Sequence, residues 1–268
     1  MEIITLGPQG SYSHQAASTH FNPTKLTFAN SITEVFETVK NNKNLHGVVP
    51  LENIIEGTVR ETFDQLYETD LKVINIASLE INHCLLAPTK DFDTILSHPQ
   101  ALAQCRKFLH KYYKKHKLIP VNSTSQACLL ASQEKNCAAI SSKFTGEMYQ
   151  LNCLHEDIAD YSENKTNFAL IGHKSSASNH QKSLAALTPI NSDQPGLLVK
   201  MLYPFQENQV NLSKIESRPN KLNLSEHVFF IEFEGDFRQA RARKTFTYLE
   251  KDLQICKVKI LGGQLTTP

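Results

Sequence analysis

Two hydrophobic rhythms take turns along the first 170 residues of this chain. Short apolar runs predict strands over residues 2–6, 26–28 and 46–50, and 3.6-residue patterns predict helices over 11–21, 32–40 and 58–67. Ser31 followed by Glu34 predicts a capping box at the start of the second helix. After Pro88 the pattern predicts a helix over 99–113, a strand over 118–121, a helix over 124–132 and a strand over 137–140. Phe168–Ile171 reads as a late strand. This β–α alternation predicts a mostly parallel sheet covered by helices.

Residues 173–183, HKSSASNHQKS, are small and polar and predict a linker. Beyond them come strands over 184–190, 210–217, 227–234 and 256–261, with helices over 195–205 and 236–253. Strand-helix-strand-strand-helix-strand is the ferredoxin-like order. The expected division is therefore a first domain over 1–174, a linker over 175–183 and a second domain over 184–268.

Composition narrows the partners. The net charge is +1, from 28 basic and 27 acidic residues, so neither nucleic acid nor an acidic membrane surface is expected. Six cysteines at irregular spacing, with no C-x-x-C pair, predict reduced thiols in a cytoplasmic protein and no metal site. The opening MEIITLGPQG reads as strand and turn rather than a signal peptide, and no apolar run reaches 18 residues. The basic stretch RKFLHKYYKKHK, 106–117, reads as a solvated cationic helix end rather than a nucleic-acid patch.

Three polar stretches fall where strands end and helices begin, the usual ligand position of an α/β protein. In GPQGSYSHQAA, 7–17, Ser11 and Ser13 stand beside free helix amides, either as an anion site or as a simple N-cap. In VVPLENIIEGTV, 48–59, Glu52 and Asn53 follow a strand and suit either a ligand or loop backbone. In YSENKTNFALIG, 161–172, Thr166 is either an ST-turn residue or a ligand contact.

Together these stretches resemble the prephenate dehydratase family. The matching pieces, in order, are GPQGSYSHQAA (7–17), VVPLENIIEGTV (48–59), SHPQALAQC (97–105), NSTSQA (122–127), CAAISS (137–142) and ENKTNF (163–168). Beyond the linker, PGLLVKML (195–202) and NLSKIESRP (211–219) are similar to the phenylalanine-binding segments of an ACT regulatory domain. The resemblance implies a two-lobed α/β catalytic domain like a periplasmic binding protein, followed by a βαββαβ ACT domain. It also implies prephenate as substrate, L-phenylalanine as effector, no cofactor, and a homodimer or homotetramer.

By the same resemblance Thr166 is the catalytic residue, orienting and polarising the leaving group. Ser11, Glu52, Asn53, Thr124, Asn164, Asn167 and Phe168 would bind substrate. Gly196, Leu197, Leu198, Asn211, Leu212, Glu216, Ser217, Arg218 and Pro219 would bind the effector, although Leu197 and Leu198 also read as plain core.

Two positions depart from the family. Asn167 stands where the family has Arg, and Ile54 where it has Ser. Arg is the preferred bidentate partner of a carboxylate, and losing one partner of a buried charge pair costs ~2–5 kcal/mol. The expectation is that dehydration survives with the carboxylates held by Lys165, by Arg60, or by helix amino termini at 11–13 and 123–125. The alternatives are a related substrate or reaction, such as arogenate or a non-aromatising decarboxylation, and a protein that only binds phenylalanine.

Overall fold

Apolar runs become strands and Ser-capped segments become helices throughout the computed structural model. It describes every residue except 162, 176–178, 192–193, 221–222 and 266–268, and leaves out the side chains of 220 and 223–226. In chain order the elements are β1 (Glu2–Leu6), α1 (Tyr12–Phe21), β2 (Lys25–Ala29), α2 (Ile32–Asn41), β3 (Leu45–Asn53), β4 (Gly57–Thr58) and α3 (Arg60–Glu68). Next come β5 (Lys72–Glu80), β6 (Cys84–Ala87), β7 (Thr94–Ser97), α4 (Pro99–Gln104), α5 (Arg106–Tyr112), β8 (Lys117–Pro120), α6 (Thr124–Gln133) and β9 (Cys137–Ser141). The series ends with α7 (Lys143–Met148), β10 (Asn152–His155), β11 (Lys165–Gly172), β12 (His180–Pro189), α8 (Leu197–Glu207), β13 (Leu212–Asn220), β14 (Asn223–Glu234), α9 (Ala240–Thr247) and β15 (Cys256–Leu265).

One compact unit comprises residues 1–38, 44–59 and 77–168, and another comprises 39–43, 60–76 and 169–268. In the first, β1 lies between parallel partners, with Glu2 opposite both Lys25 of β2 and Leu45 of β3. A second sheet runs β10-β6-β9-β7-β8, parallel from β9 to β8 and antiparallel at β6 and β10. Its β9 is buried along its whole length, Ala138 and Ile140 packing into one core and Cys137 and Ala139 into the other. That double burial explains its unbroken apolar run.

Local chemistry moves several boundaries. Gly57–Thr58 folds back on β3 as β4, with Thr58 opposite Glu52, so α3 begins at Arg60 instead of Thr58. The helix predicted over 99–113 is broken at Cys105 into α4 and α5. Asp160 fills the break: its N–H donates to Gln104 O at 2.6 Å, and its carboxylate accepts from Lys107 N at 3.0 Å. At α2, Ser31 Oγ accepts from Glu34 N at 3.1 Å, while the Glu34 carboxylate reaches back to Asn30 N at 2.7 Å, one residue before the cap.

In the second unit β12 lies between β14 and β15, with β13 beyond β14, and every one of these pairs is antiparallel. This is ferredoxin-like strand order as well as ferredoxin-like sequence order. Leu197, Met201 and Phe205 of α8 and Phe246 of α9 pack on Leu187, Ile231 and Phe233 of the sheet. β12 begins at His180, so the last four residues of the predicted linker are strand, and its residues 176–178 lie outside the described residues. The helix predicted over 236–253 starts at Ala240 and becomes a π-turn at Tyr248–Asp252.

β15 needs two glycines. A Cβ at Gly262 (φ +112°) would lie 2.0 Å from Val73 O, and one at Gly263 would lie 2.2 Å from Lys182 O. Among the described residues no helix is long and apolar enough to cross a membrane.

Candidate active site

A cavity of about 430 Å³ opens within the first unit, a volume in the range of small-molecule sites. The start of α1 contributes Ser11, Tyr12 and Ser13, and the start of α6 contributes Ser123 and Thr124. Asn53 and Glu56 come from the β3–β4 turn, His83 from the β5–β6 connection, and His98 and Gln104 from the two ends of α4. β11 and the residue before it supply Asn164, Thr166 and Phe168.

An Asx turn orients the polar wall. Asn53 Oδ1 accepts from Ile55 N at 2.9 Å and from Glu56 N at 3.0 Å, which fixes the opposite end of its amide as the donor. That Nδ2 donates to Asn164 Oδ1 and to Thr166 Oγ1, both at 2.8 Å. Asn164 must then present its own Nδ2 to Gln104 Oε1, at 3.4 Å, which also lies 3.0 Å from His83 Nε2. At the far end His83 Nδ1 is 3.0 Å from the Tyr12 hydroxyl, which donates to Asn82 O at 2.9 Å. Thr166, only 8% exposed, therefore accepts a hydrogen bond from the protein and keeps its own hydrogen for a ligand. Burial lowers the His83 pKa and raises that of Tyr12 well above the ordinary value.

Two helix termini face the same cavity. Ser11 Oγ caps α1 by accepting from His14 N at 3.2 Å, and Ser123 Oγ caps α6 by accepting from Gln126 N at 3.0 Å. The Gln126 side-chain oxygen accepts in turn from Asn122 N at 3.0 Å, one residue before the cap, a variant of the capping box. Helix geometry leaves the first N–H groups of each helix, at Tyr12–Ser13 and Thr124–Ser125, without intrahelical acceptors. Both termini carry the partial positive charge that binds carboxylates. Among the described residues no Lys or Arg lines the cavity. Lys165 is 3.4 Å from Glu80, and Arg60 is exposed at the start of α3.

Of the residues predicted to bind substrate, Ser11, Asn53, Thr124, Asn164, Thr166 and Phe168 come together here. Glu52 and Asn167 do not. Glu52 sits in β3 opposite Thr58, and it is Glu56, past the turn, that reaches the cavity. In a strand, neighbouring side chains point to opposite faces, so Thr166 and Phe168 face the cavity while Asn167 faces away and contacts Ser78 Oγ. The absent arginine therefore removes no carboxylate partner from this wall. Ile54 is 62% exposed and lies outside the lining as well. Tyr12 and Ser123 belong to the helix starts at 11–13 and 123–125 expected to hold carboxylates, whereas His98 and Gln104 were present only within the motif piece 97–105 and His83 was not singled out from the sequence.

The predicted effector residues lie in the second unit. Gly196 is the left-handed N-cap of α8 (φ 77°), Leu197 is in the hydrophobic core, and Leu198 is 41% exposed. Asn211 precedes β13, where Leu212 packs against that core. Further along β13 the exposed Ser217 and Pro219 alternate with the half-buried Glu216 and Arg218. Arg218 is engaged within the chain: its guanidinium meets the Asp64 carboxylate at 2.5 and 3.1 Å and donates to Arg60 O at 2.6 Å.

Comparison with known proteins gives this geometry a family. The profile described as "Prephenate dehydratase" matches residues 3–176. The Prephenate dehydratase of Methanocaldococcus jannaschii is 39% identical over 242 residues, covering 87% of this chain and 88% of that protein. The Prephenate dehydratase of Bacillus subtilis is 32% identical, with 98% of each covered. Among solved structures, the prephenate dehydratase of Staphylococcus aureus superposes with a TM-score of 0.86 at 29% identity, covering 98% of this chain and all of that one. The Arthrobacter aurescens prephenate dehydratase in complex with L-Phe gives 0.87 at 26% identity, covering all of this chain and 92% of that one. With a family profile over well over half its length and full-length relatives above 30% identity, this chain belongs to the prephenate dehydratase family.

Proposed function

We propose that this chain converts prephenate to phenylpyruvate, releasing water and carbon dioxide, as a hydro-lyase of phenylalanine biosynthesis in the cytoplasm. The observation that carries the reading is the Thr166 hydroxyl, buried in a cavity of suitable size and fixed as a donor by Asn53. In the reaction the bond from the ring to its carboxylate breaks, and that electron pair enters the ring. The ring C–O bond then breaks on the opposite side, and the departing oxygen leaves as water after gaining one proton. Aromatisation drives the step. A hydroxyl with a high pKa is a poor proton source, so Thr166 acts by hydrogen bonding to the oxygen as negative charge develops there. Asn53, donating to Thr166 Oγ1, strengthens that hydrogen bond. The amino termini of α1 and α6 hold the two carboxylates, and Phe168 offers the ring an apolar surface.

The second unit is read as regulatory. Residues 184–268, with the strand that leads into them, form an ACT domain, the catalytic part being 1–174 and the join lying near 175–183. L-Phenylalanine is its effector and the chain works as a homodimer or homotetramer. Support comes from the ferredoxin-like strand order and from the L-Phe complex of the Arthrobacter relative.

A discontinuous assay for phenylpyruvate, comparing the protein with Thr166→Ala and with a no-enzyme blank, tests the catalytic reading. Product that depends on Thr166 is the expected result. Product no faster than the blank would refute it.

A further inference from the structure

The polar wall is one hydrogen short. Its direction is set at Asn53, whose Oδ1 is occupied by two backbone N–H groups, and it runs through Asn164 to Gln104 Oε1, which can only accept. His83 Nε2 therefore carries a proton and donates it to Gln104 Oε1 at 3.0 Å. With His83 neutral, Nδ1 is a bare lone pair 3.0 Å from the Tyr12 hydroxyl. That hydroxyl has a single hydrogen and two acceptors, Nδ1 and Asn82 O at 2.9 Å. One acceptor always goes without. A proton on Nδ1 completes the set: Nδ1–H donates to the Tyr12 oxygen, and the Tyr12 hydrogen goes to Asn82 O.

The surroundings keep that proton off while the cavity holds no anion. His83 is 3% exposed, and burial disfavours its charged form. Tyr12 on α1 is the titratable side chain in direct contact with His83, and Cys84, Cys105 and Cys128 surround that tyrosine. Burial raises the tyrosine and the three thiols, the thiols to about 12, so these four supply no counter-charge. Asp157 and Asp160 flank Ile158, whose N–H donates to His83 O, and the Asp160 carboxylate is taken up by Lys107 N at 3.0 Å. Glu56 and His98 are the remaining titratable groups of the cavity lining. Prephenate would bring two negative charges into a site whose described lining has no Lys or Arg.

We propose that His83 is neutral in the empty cavity and takes up a proton when the dianionic substrate binds, supplying the cation that the lining otherwise lacks. This rests on the prephenate reading above. The network is built for the change, because protonation breaks no hydrogen bond and satisfies one more acceptor. His83 binds the proton and holds it, with both ring nitrogens on protein partners; it is not the donor to the leaving oxygen.

Calorimetric titration of prephenate into Thr166→Ala protein, in buffers of different ionisation enthalpy, counts protons without turnover. Near neutral pH the expected uptake is about one proton per ligand bound. Adding His83→Gln, which keeps a donor toward Gln104 but cannot be protonated, abolishes the uptake and weakens binding. Tyr12→Phe, which removes the acceptor for Nδ1–H, reduces it, while His98→Asn, which retains a capping side chain, leaves it in place. Binding without uptake, uptake unchanged by His83→Gln, or uptake lost with His98→Asn would each overturn the inference and leave the dehydratase reading intact. No binding of prephenate at all, together with no product from the unmodified protein, would overturn both.

Discussion

Asn53→Asp exchanges one NH₂ group for an oxygen and reverses the sense of the wall. The Asx turn survives, because Oδ1 still accepts from Ile55 N and Glu56 N at 2.9 and 3.0 Å. The new oxygen faces Thr166 Oγ1 and Asn164 Oδ1, each 2.8 Å away. Thr166 then turns its hydrogen onto the introduced carboxylate and has none for the leaving oxygen. Removing one such preorganised donor costs about 10²–10³ in kcat, or ~2.7–4 kcal/mol of transition-state stabilisation. The added negative charge also opposes a dianionic ligand, so KM rises. Steady-state phenylpyruvate formation, with the blank subtracted, measures both effects, and a urea melt checks that the turn has held. Thr166→Val should lose a similar factor, and the double variant little more, because both changes remove the same hydrogen bond. A kcat within about tenfold of the parent for Asn53→Asp, which is only ~1.4 kcal/mol, would refute the assignment of Thr166 as an oriented donor.

Further outcomes follow from both units. Arg218→Ala takes the guanidinium away from the largely buried Asp64 carboxylate and should cost about 3 kcal/mol in denaturant unfolding, the low end for a buried pair because both side chains are partly exposed; a change below ~1 kcal/mol would show that the pair contributes little. Burial holds His14, His83 and His180 below the ordinary histidine range, so below about pH 6.5 the unfolded chain binds more protons than the folded one. Stability is therefore complete above that range and falls as pH drops through it; urea midpoints that stay flat from neutral pH to about pH 5 would contradict this. L-Phenylalanine in excess of its dissociation constant should raise the melting temperature, about 2.7 kcal/mol being available at a hundredfold excess. No shift at millimolar ligand would remove the effector site.

Where one period ran long enough, the sequence was easy to read. α1 and its Ser11 cap, the capping box of α2, and the βαββαβ order of the second unit all lie on unbroken patterns. Strands β5, β6, β7 and β10 and helix α7 were not predicted; CLLA and TILS are four-residue runs without clear alternation, which periodicity alone does not assign to strand or helix. The break at Cys105 is equally silent, because the apolar spacing runs straight through a site where only a distant residue, Asp160, stabilises the interruption. At the site, motif pieces located Asn53, Asn164 and Thr166 but could not say which way neighbours point. The alternation of β11 removes Asn167 from the cavity, and the turn into β4 exchanges Glu52 for Glu56. His83 gave no signal in the sequence, since its partners Tyr12 and Gln104 are 71 and 21 residues away.

The absence of Lys and Arg from the described cavity lining bears on selectivity among the small anions of a cell. A fixed cation projects its field over about a Debye length, ~8 Å at physiological salt, and gathers any phosphate or sulfate that drifts past. Helix N–H groups act only within their first turn. They reward an anion seated at that spot and ignore one that is merely nearby. A pocket made this way selects by where a ligand's anionic groups sit, so a dicarboxylate whose two ends reach both helix starts is favoured over a small anion that meets only one.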